Sequence, residues 1–185
     1  KLTVTGLDNL PHQGGVLLLG NHISWIDWAM LQLASPRPIR FVMLRSIYEK
    51  WYMKWFLDLC GVIPIAQGSS KDAIRQVSIC LKNGETVALF PEGHISQNGS
   101  LSSFRSGFER AAAKTGATIV PFYLHGLWGS KYSYASEFLK EKNSLLAPRQ
   151  IVVSFGPRMI DTTTAPELKK AVQHLSIHSW KASLE

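Results

Sequence analysis

Val16-Leu17-Leu18-Leu19-Gly20-Asn21-His22-Ile23-Ser24-Trp25-Ile26-Asp27 joins a short apolar run to a histidine, a hydroxyl and a carboxylate. The apolar run reads as a buried strand, and the polar residues beyond Gly20 read as the turn that ends it. A histidine takes up a proton near neutral pH, and a nearby carboxylate holds its ring in one tautomer. Two readings follow. Either His22 is a general base oriented by Asp27, or the polar residues merely cap the helix that comes next.

The local geometry bears on that choice. Ser24 is placed to N-cap a helix from Trp25 to Leu33, which Ser35-Pro36-Arg37-Pro38 ends. On one unbroken helix, residues five apart sit ~140° apart around the axis and do not meet. His22 and Asp27 can therefore pair only if His22 lies in the turn before the helix, and a cap at Ser24 supplies that break.

Outward from this stretch, strands and helices alternate. Leu2 to Thr5, Ile39 to Leu44, Thr86 to Phe90, Thr118 to Leu124 and Ile151 to Phe155 read as strands. Gly61-Val62-Ile63-Pro64-Ile65 reads as another, at an edge or a strand end because of its proline. Helical spacing covers Tyr48 to Leu57, Lys71 to Lys82 behind a Ser69 or Ser70 cap, and Ser102 to Thr115. Pro166 opens a last helix running through Ser179. The stretch Ser130 to Asn143 is polar and reads as a loop with a short helix. The alternation predicts an α/β layered domain.

Composition narrows the partners. The 185 residues are 45% hydrophobic, enough for one real core. A formal net charge of +7, from 20 Lys+Arg against 13 Asp+Glu, favours an anionic partner: nucleic acid, a phospholipid surface, a phosphorylated substrate or an acidic carrier protein. Trp51 and Trp55 stand among lysines, Lys54 included, which suits a membrane interface as well as a base-stacking platform. The aromatic stripe Tyr48, Trp51, Tyr52, Trp55 and Phe56 reads first as core, with an interfacial face as the other reading. Cys60 and Cys80 lie in apolar company without metal-ligand spacing and read as buried thiols. No run reaches the ~18 apolar residues of a membrane span, and no phosphate-binding glycine loop or zinc-finger spacing is present. Because the chain starts at Lys1, a domain taken from a longer protein is expected.

With both motif loops located, the sequence resembles the glycerophospholipid acyltransferase family. Asn21-His22 through Asp27 matches its Asn-His-x4-Asp block, and Phe90-Pro91-Glu92-Gly93 its Phe-Pro-Glu-Gly block. Ile119-Val120-Pro121-Phe122 matches an apolar-then-proline block, so the likeness runs from Leu10 to Phe155. Within the family, Trp51-Tyr52-Met53-Lys54-Trp55 and Phe90-Pro91-Glu92-Gly93-His94-Ile95 with Gly99-Ser100-Leu101 resemble the acyltransferase part of bacterial bifunctional 2-acylglycerophosphoethanolamine acyltransferase/acyl-carrier-protein synthetases.

The resemblance implies a layered glycerolipid-acyltransferase-like domain over residues 1–185, with a mixed, mostly parallel sheet flanked by helices. It implies a peripheral protein on the cytoplasmic face of a bacterial inner membrane, fused to ligase or transporter domains. Its activity would be transfer of a fatty acyl group from acyl-carrier protein (acyl-ACP) or coenzyme A (acyl-CoA) to the free hydroxyl of a lysophospholipid. No cofactor or metal is implied beyond that co-substrate, and no nucleic acid. His22 would be the base and Asp27 its orienter. Asn21, Ser24, Glu92, Gly93, His94 and Pro121 would bind substrate, with backbone N–H groups of the Glu92-Gly93 turn as oxyanion donors. Trp51, Lys54 and Trp55 would touch the membrane.

Two departures bear on the acceptor. Family members acting on lysophosphatidic acid carry an arginine two residues after Phe-Pro-Glu-Gly, where this chain has Ile95, and another in the second block, where Gly61 to Gln67 offers none. Those arginines suit a terminal phosphate dianion. A headgroup-bearing acceptor such as lysophosphatidylethanolamine is therefore expected, with a maker of phosphatidic acid as the alternative. A basic, aromatic-rich membrane or nucleic-acid binding domain is the alternative outside enzymes.

Overall fold

The computed structural model describes residues 1–65, 70–142 and 149–184. Seven strands form its sheet: β1 (Leu2–Thr5), β2 (Val16–Gly20), β3 (Ile39–Leu44), β4 (Ile63–Ile65), β5 (Thr86–Leu89), β6 (Thr118–His125) and β7 (Ile151–Phe155). The order is β1-β7-β6-β2-β5-β3-β4. Every neighbouring pair is parallel except β6 and β7. The sheet is thus mixed and mostly parallel, and helices cover both of its faces.

Strand β2 lies in the interior of the sheet and is buried along its whole length. Its side chains alternate between two cores, as the pleat requires. Val16 and Leu18 pack on one face with Leu31 of helix α1 (Asp27–Ala34), Phe41, Val120 and Phe122. Leu17 and Leu19 pack on the other with α4 (Ser70–Lys82), α5 (Gly107–Ala112) and α7 (Ala165–Ala182), through Val77, Leu81, Phe108, Leu168 and Val172. Truncating such a residue to alanine costs about 2–5 kcal/mol. Helix α7 starts in a Thr164–Glu167 capping box with a proline in its first turn, and Leu168, Val172 and Leu175 form its buried face as expected.

The two strand prolines find different solutions. Pro64 lies in the edge strand β4. Pro121 lies in the interior strand β6, where its carbonyl accepts the Gly156 N–H at 2.7 Å. Since N and C=O of one strand residue point the same way, its missing N–H faces Gly156, one residue past the end of β7.

Three helix expectations need correction. The helix placed at Trp25 starts at Asp27, and Ser24 makes no cap bond to it. The helix placed over Tyr48 to Leu57 is two: α2 (Arg45–Tyr48) and α3 (Trp51–Leu59). The helix placed over Ser102 to Thr115 is only α5, because residues 102 and 105 are tied to the Phe90–Gly93 turn instead. The polar stretch after Ser130 holds a short helix, α6 (Glu137–Lys142). Ser69, Ala66 and Gln67 lie outside the described residues, as do the side chains of Tyr52 and Phe56.

Candidate active site

Parallel strands β2 and β5 are neighbours in register, with Leu19 opposite Leu89, so their C-terminal ends coincide. The loops that leave those ends carry the two motifs, at the edge where α/β sheets place ligands. His22 and Phe90 thereby come face to face, ring centroids 4.0 Å apart and 15° from coplanar.

Asp27 organises the first loop. Its side chain is fully buried, and its carboxylate meets four polar groups. Oδ2 accepts the Ile23 N–H at 2.6 Å and the Ser24 N–H at 3.0 Å, and lies 2.7 Å from His22 Nδ1. Oδ1 accepts the Ser24 hydroxyl at 2.6 Å. The break between His22 and the helix therefore comes from a loop wrapped around Asp27, and Ser24 belongs to that wrap. An acceptor at Nδ1 assigns the imidazole proton there and leaves Nε2 as the basic nitrogen. The partly exposed His22 ring keeps that nitrogen within reach of a substrate.

The backbone of His22 is held from the second loop. Its N–H donates to Glu92 Oε1 at 2.8 Å and its C=O accepts the Ser96 N–H at 2.8 Å. Glu92 is buried, and its other oxygen accepts the Ser102 N–H at 2.8 Å and the Ser102 hydroxyl. Burial, together with the Glu92 carboxylate, pushes the Tyr123 phenol above its ordinary value. Asn21 is also buried and acts as a clip, donating to Leu124 O at 3.0 Å and accepting the Leu124 N–H at 2.7 Å. It prolongs the β2–β6 pairing by one side chain.

The expected site residues thus divide. His22, Asp27, Ser24, Asn21 and Glu92 are brought together, the last three with their polar groups spent on the protein. Gly93 and His94 are exposed in the turn, with Gly93 at φ +75. The Gly93 N–H donates to Phe90 O at 3.0 Å, so it is not a spare oxyanion donor. The Glu92 and His94 amides have no partner among the described residues. Pro121 is not at the site: its ring and Leu175 of α7 both flank Gly156, on the far face of the sheet from Phe122.

On the expected membrane face, Trp51 and Trp55 are 86% and 68% exposed, which corrects their placement in the core. Among the described side chains of that helix, Leu57 is the one turned inward. Lys54 is paired with Asp58 at 3.0 Å and sits over the Tyr48 ring. An apolar groove of about 410 Å³ lies between α1, β3 and α3, lined by Trp28, Phe41, Met43, Leu57 and Val62 among others. Cys60 and Cys80 are free thiols, and burial and the Glu85 carboxylate push Cys80 up to about 11.

Several contributors escape a reading of the sequence. Ser96 and Ser102 look like ordinary loop serines, and nothing local marks them as partners of His22 and Glu92. The loop after β6 also docks here: the Trp25 N–H donates to Tyr132 O at 2.9 Å, and Trp25 meets Tyr134 edge to face at 6.3 Å.

Comparison with known proteins gives the family and the fold. An acyltransferase family profile matches residues 1–125. A chloroplastic 1-acyl-sn-glycerol-3-phosphate acyltransferase of Arabidopsis thaliana is 33% identical over 130 residues, 68% of this chain and 36% of that protein. A 1-acyl-sn-glycerol-3-phosphate acyltransferase of Pseudomonas aeruginosa is 28% identical over 165 residues, 86% of this chain and 63% of that protein. The chain thus spans between about a third and two thirds of the length of these relatives. The crystal structure of the 1-acyl-sn-glycerophosphate acyltransferase PlsC from Thermotoga maritima superposes with a TM-score of 0.74 at 21% identity, covering 98% of this chain and 73% of that one, which shows a shared fold. With the family profile spanning both motif loops and the strands that carry them, this chain belongs to the acyltransferase family.

Proposed function

We propose that the chain carries the catalytic site of a glycerophospholipid acyltransferase, which moves a fatty acyl group from a thioester to the free glycerol hydroxyl of a lysophospholipid. The observation that carries this reading is the 2.7 Å contact of His22 Nδ1 with a buried Asp27, on a ring clamped by Phe90. His22 Nε2 takes the hydroxyl proton as the glycerol oxygen bonds to the thioester carbonyl carbon. The tetrahedral oxyanion is met by backbone amides, with those of Glu92 and His94 as candidates. Collapse breaks the C–S bond, and the leaving thiolate takes the proton from His22. Asp27 stabilises the imidazolium in between, as in hydrolase triads, with the nucleophile here supplied by substrate. The apolar groove beside α1 is chemically suited to an acyl chain.

The donor in this reading is acyl-ACP or acyl-CoA. The acceptor carries a headgroup, as in lysophosphatidylethanolamine, because Ile95 occupies the arginine position of the motif. The likeness to bifunctional acyltransferase/synthetases in the stretches around Trp51 and His94 supports the same choice and a role in phospholipid repair. One set of observations favours the other acceptor: the relatives are named for 1-acyl-sn-glycerol-3-phosphate. Among the described residues no helix is long and apolar enough to cross a membrane. Peripheral attachment to the cytoplasmic face of a bacterial inner membrane, within a longer protein, completes the reading. Its contact surface is the exposed Trp51–Trp55 face of α3.

The test is product analysis by mass spectrometry, offering a panel of lysophospholipids with both donors. A diacyl product that disappears in His22→Ala is expected. Unchanged turnover in that variant overturns the base assignment, and a clear preference for lysophosphatidic acid overturns the headgroup.

A further inference from the structure

The motif turn lacks its usual arginine, yet it does not lack a guanidinium. Arg105 reaches it from another direction. The segment after Gly99 folds back on the turn through the Ser102 N–H and hydroxyl, both donated to Glu92 Oε2, and through the Arg105 N–H, donated to Pro91 O at 2.9 Å. These bonds lay the Arg105 side chain across Gly93. A Cβ at residue 93 would stand 3.0 Å from Arg105 Cζ and Nε and 3.3 Å from Nη1. The guanidinium therefore occupies the space a side chain at 93 would take, and the glycine serves both that approach and its own positive φ.

Arg105 is exposed and makes no ion pair or side-chain hydrogen bond among the described residues. By contrast Arg37, Arg40, Arg149 and Arg158 each donate to carbonyls or a carboxylate. An uncompensated guanidinium thus lies over the turn that follows Phe90, whose ring stacks on the candidate base. We infer that Arg105 is the phosphate anchor of the acyl acceptor, supplied over Gly93 at this turn while Ile95 is turned into the core. The inference rests on the proposed acyl transfer and names the residue that recognises the acceptor's phosphate. Its fork suits two oxygens of one phosphate, and a phosphodiester presents two as a terminal phosphate does. Ile95 itself is buried, so no charge reaches the turn from that residue.

The experiment compares the wild-type chain with Arg105→Gln and Arg105→Lys in two assays. In acyl transfer, Arg105→Gln is expected to raise the acceptor KM roughly tenfold or more, the size of a lost charge-assisted contact. The donor KM should stay put, and Arg105→Lys should recover part of the loss. An unchanged acceptor KM, or donor and acceptor KM rising together, overturns the inference. In the second assay, calorimetric binding of lysophosphatidate and lysophosphatidylethanolamine in neutral detergent micelles is read on the His22→Ala background. Binding of either lipid that weakens tenfold on adding Arg105→Gln supports the anchor; binding that does not depend on Arg105 overturns it. A chain that binds through Arg105 but transfers no acyl group would refute the proposed activity and leave the anchor standing.

Discussion

The Glu92 carboxylate accepts the backbone N–H of His22 at 2.8 Å, across 70 residues of sequence. A residue that the motif presents as a substrate ligand instead holds the main chain of the candidate base. With the Ser96 N–H on the His22 carbonyl, it fixes the second motif loop to the first.

Glu92→Gln tests that bond. An amide has one acceptor oxygen, so its NH2 group must face either the His22 N–H or the Ser102 N–H, donor to donor. Stability should fall by about 1–3 kcal/mol, the cost of a buried unsatisfied group. In urea unfolding and acyl-transfer assays, kcat should drop more than KM rises, because the base is misplaced. Wild-type kcat in this variant would show that Glu92 does not position His22.

Ser24→Ala separates a positioning hydroxyl from a nucleophile. The Ser24 hydroxyl is buried and already donates to Asp27 Oδ1 at 2.6 Å. The variant should keep measurable turnover at roughly a tenth of the wild-type kcat, with about 1–2 kcal/mol lost in stability. Rapid-quench kinetics should show no covalent acyl-enzyme in the wild type. Complete loss of transfer in Ser24→Ala, with an acyl-serine in the wild type, would reverse the assignment.

Asp27→Asn should cost far more than Ser24→Ala. Asp27 accepts from three donors besides facing His22 Nδ1, and an amide nitrogen can accept from none of them. A kcat loss on the order of a thousandfold is expected, by analogy with removing the orienting carboxylate of a hydrolase triad. Circular dichroism on the same sample checks that the sheet is intact. A loss below tenfold would mean that the carboxylate does not orient the base.

His125 predicts a pH dependence of stability. Burial holds its pKa below the ordinary histidine value of about 6.5. The unfolded chain therefore binds this proton at a higher pH than the folded one. Its contribution is complete above the ordinary value and is lost as pH falls through it towards the lower folded value. Urea unfolding at pH 7.5 and pH 5.5 should show a smaller loss in His125→Gln than in the wild type. Equal losses would remove His125 as a cause.

Trp51→Ala/Trp55→Ala should reduce flotation of the chain with anionic vesicles while leaving its unfolding midpoint nearly unchanged, since both rings are exposed. Undiminished binding would place the membrane contact elsewhere.

Much of this protein follows from the order of its residues. Apolar runs and helical spacing place the seven strands and the long helices, because a pleat and a helix write their periods into near neighbours. The same local logic puts Asn21-His22 and Phe90-Pro91-Glu92-Gly93 at strand ends and allows His22 to meet Asp27 across a single turn, a pairing that the fold then makes. Tertiary structure decided the rest, since the partner of a buried polar group depends on which strands lie side by side. The order β6-β2-β5 carries Leu124 to Asn21, Phe90 to the His22 ring and Glu92 to its N–H. It also turns Pro121 towards α7, commits residues 102 and 105 to the motif turn instead of a helix, and sets Arg105 over Gly93. None of these is written in local periodicity, because each joins segments that meet only after the sheet has formed.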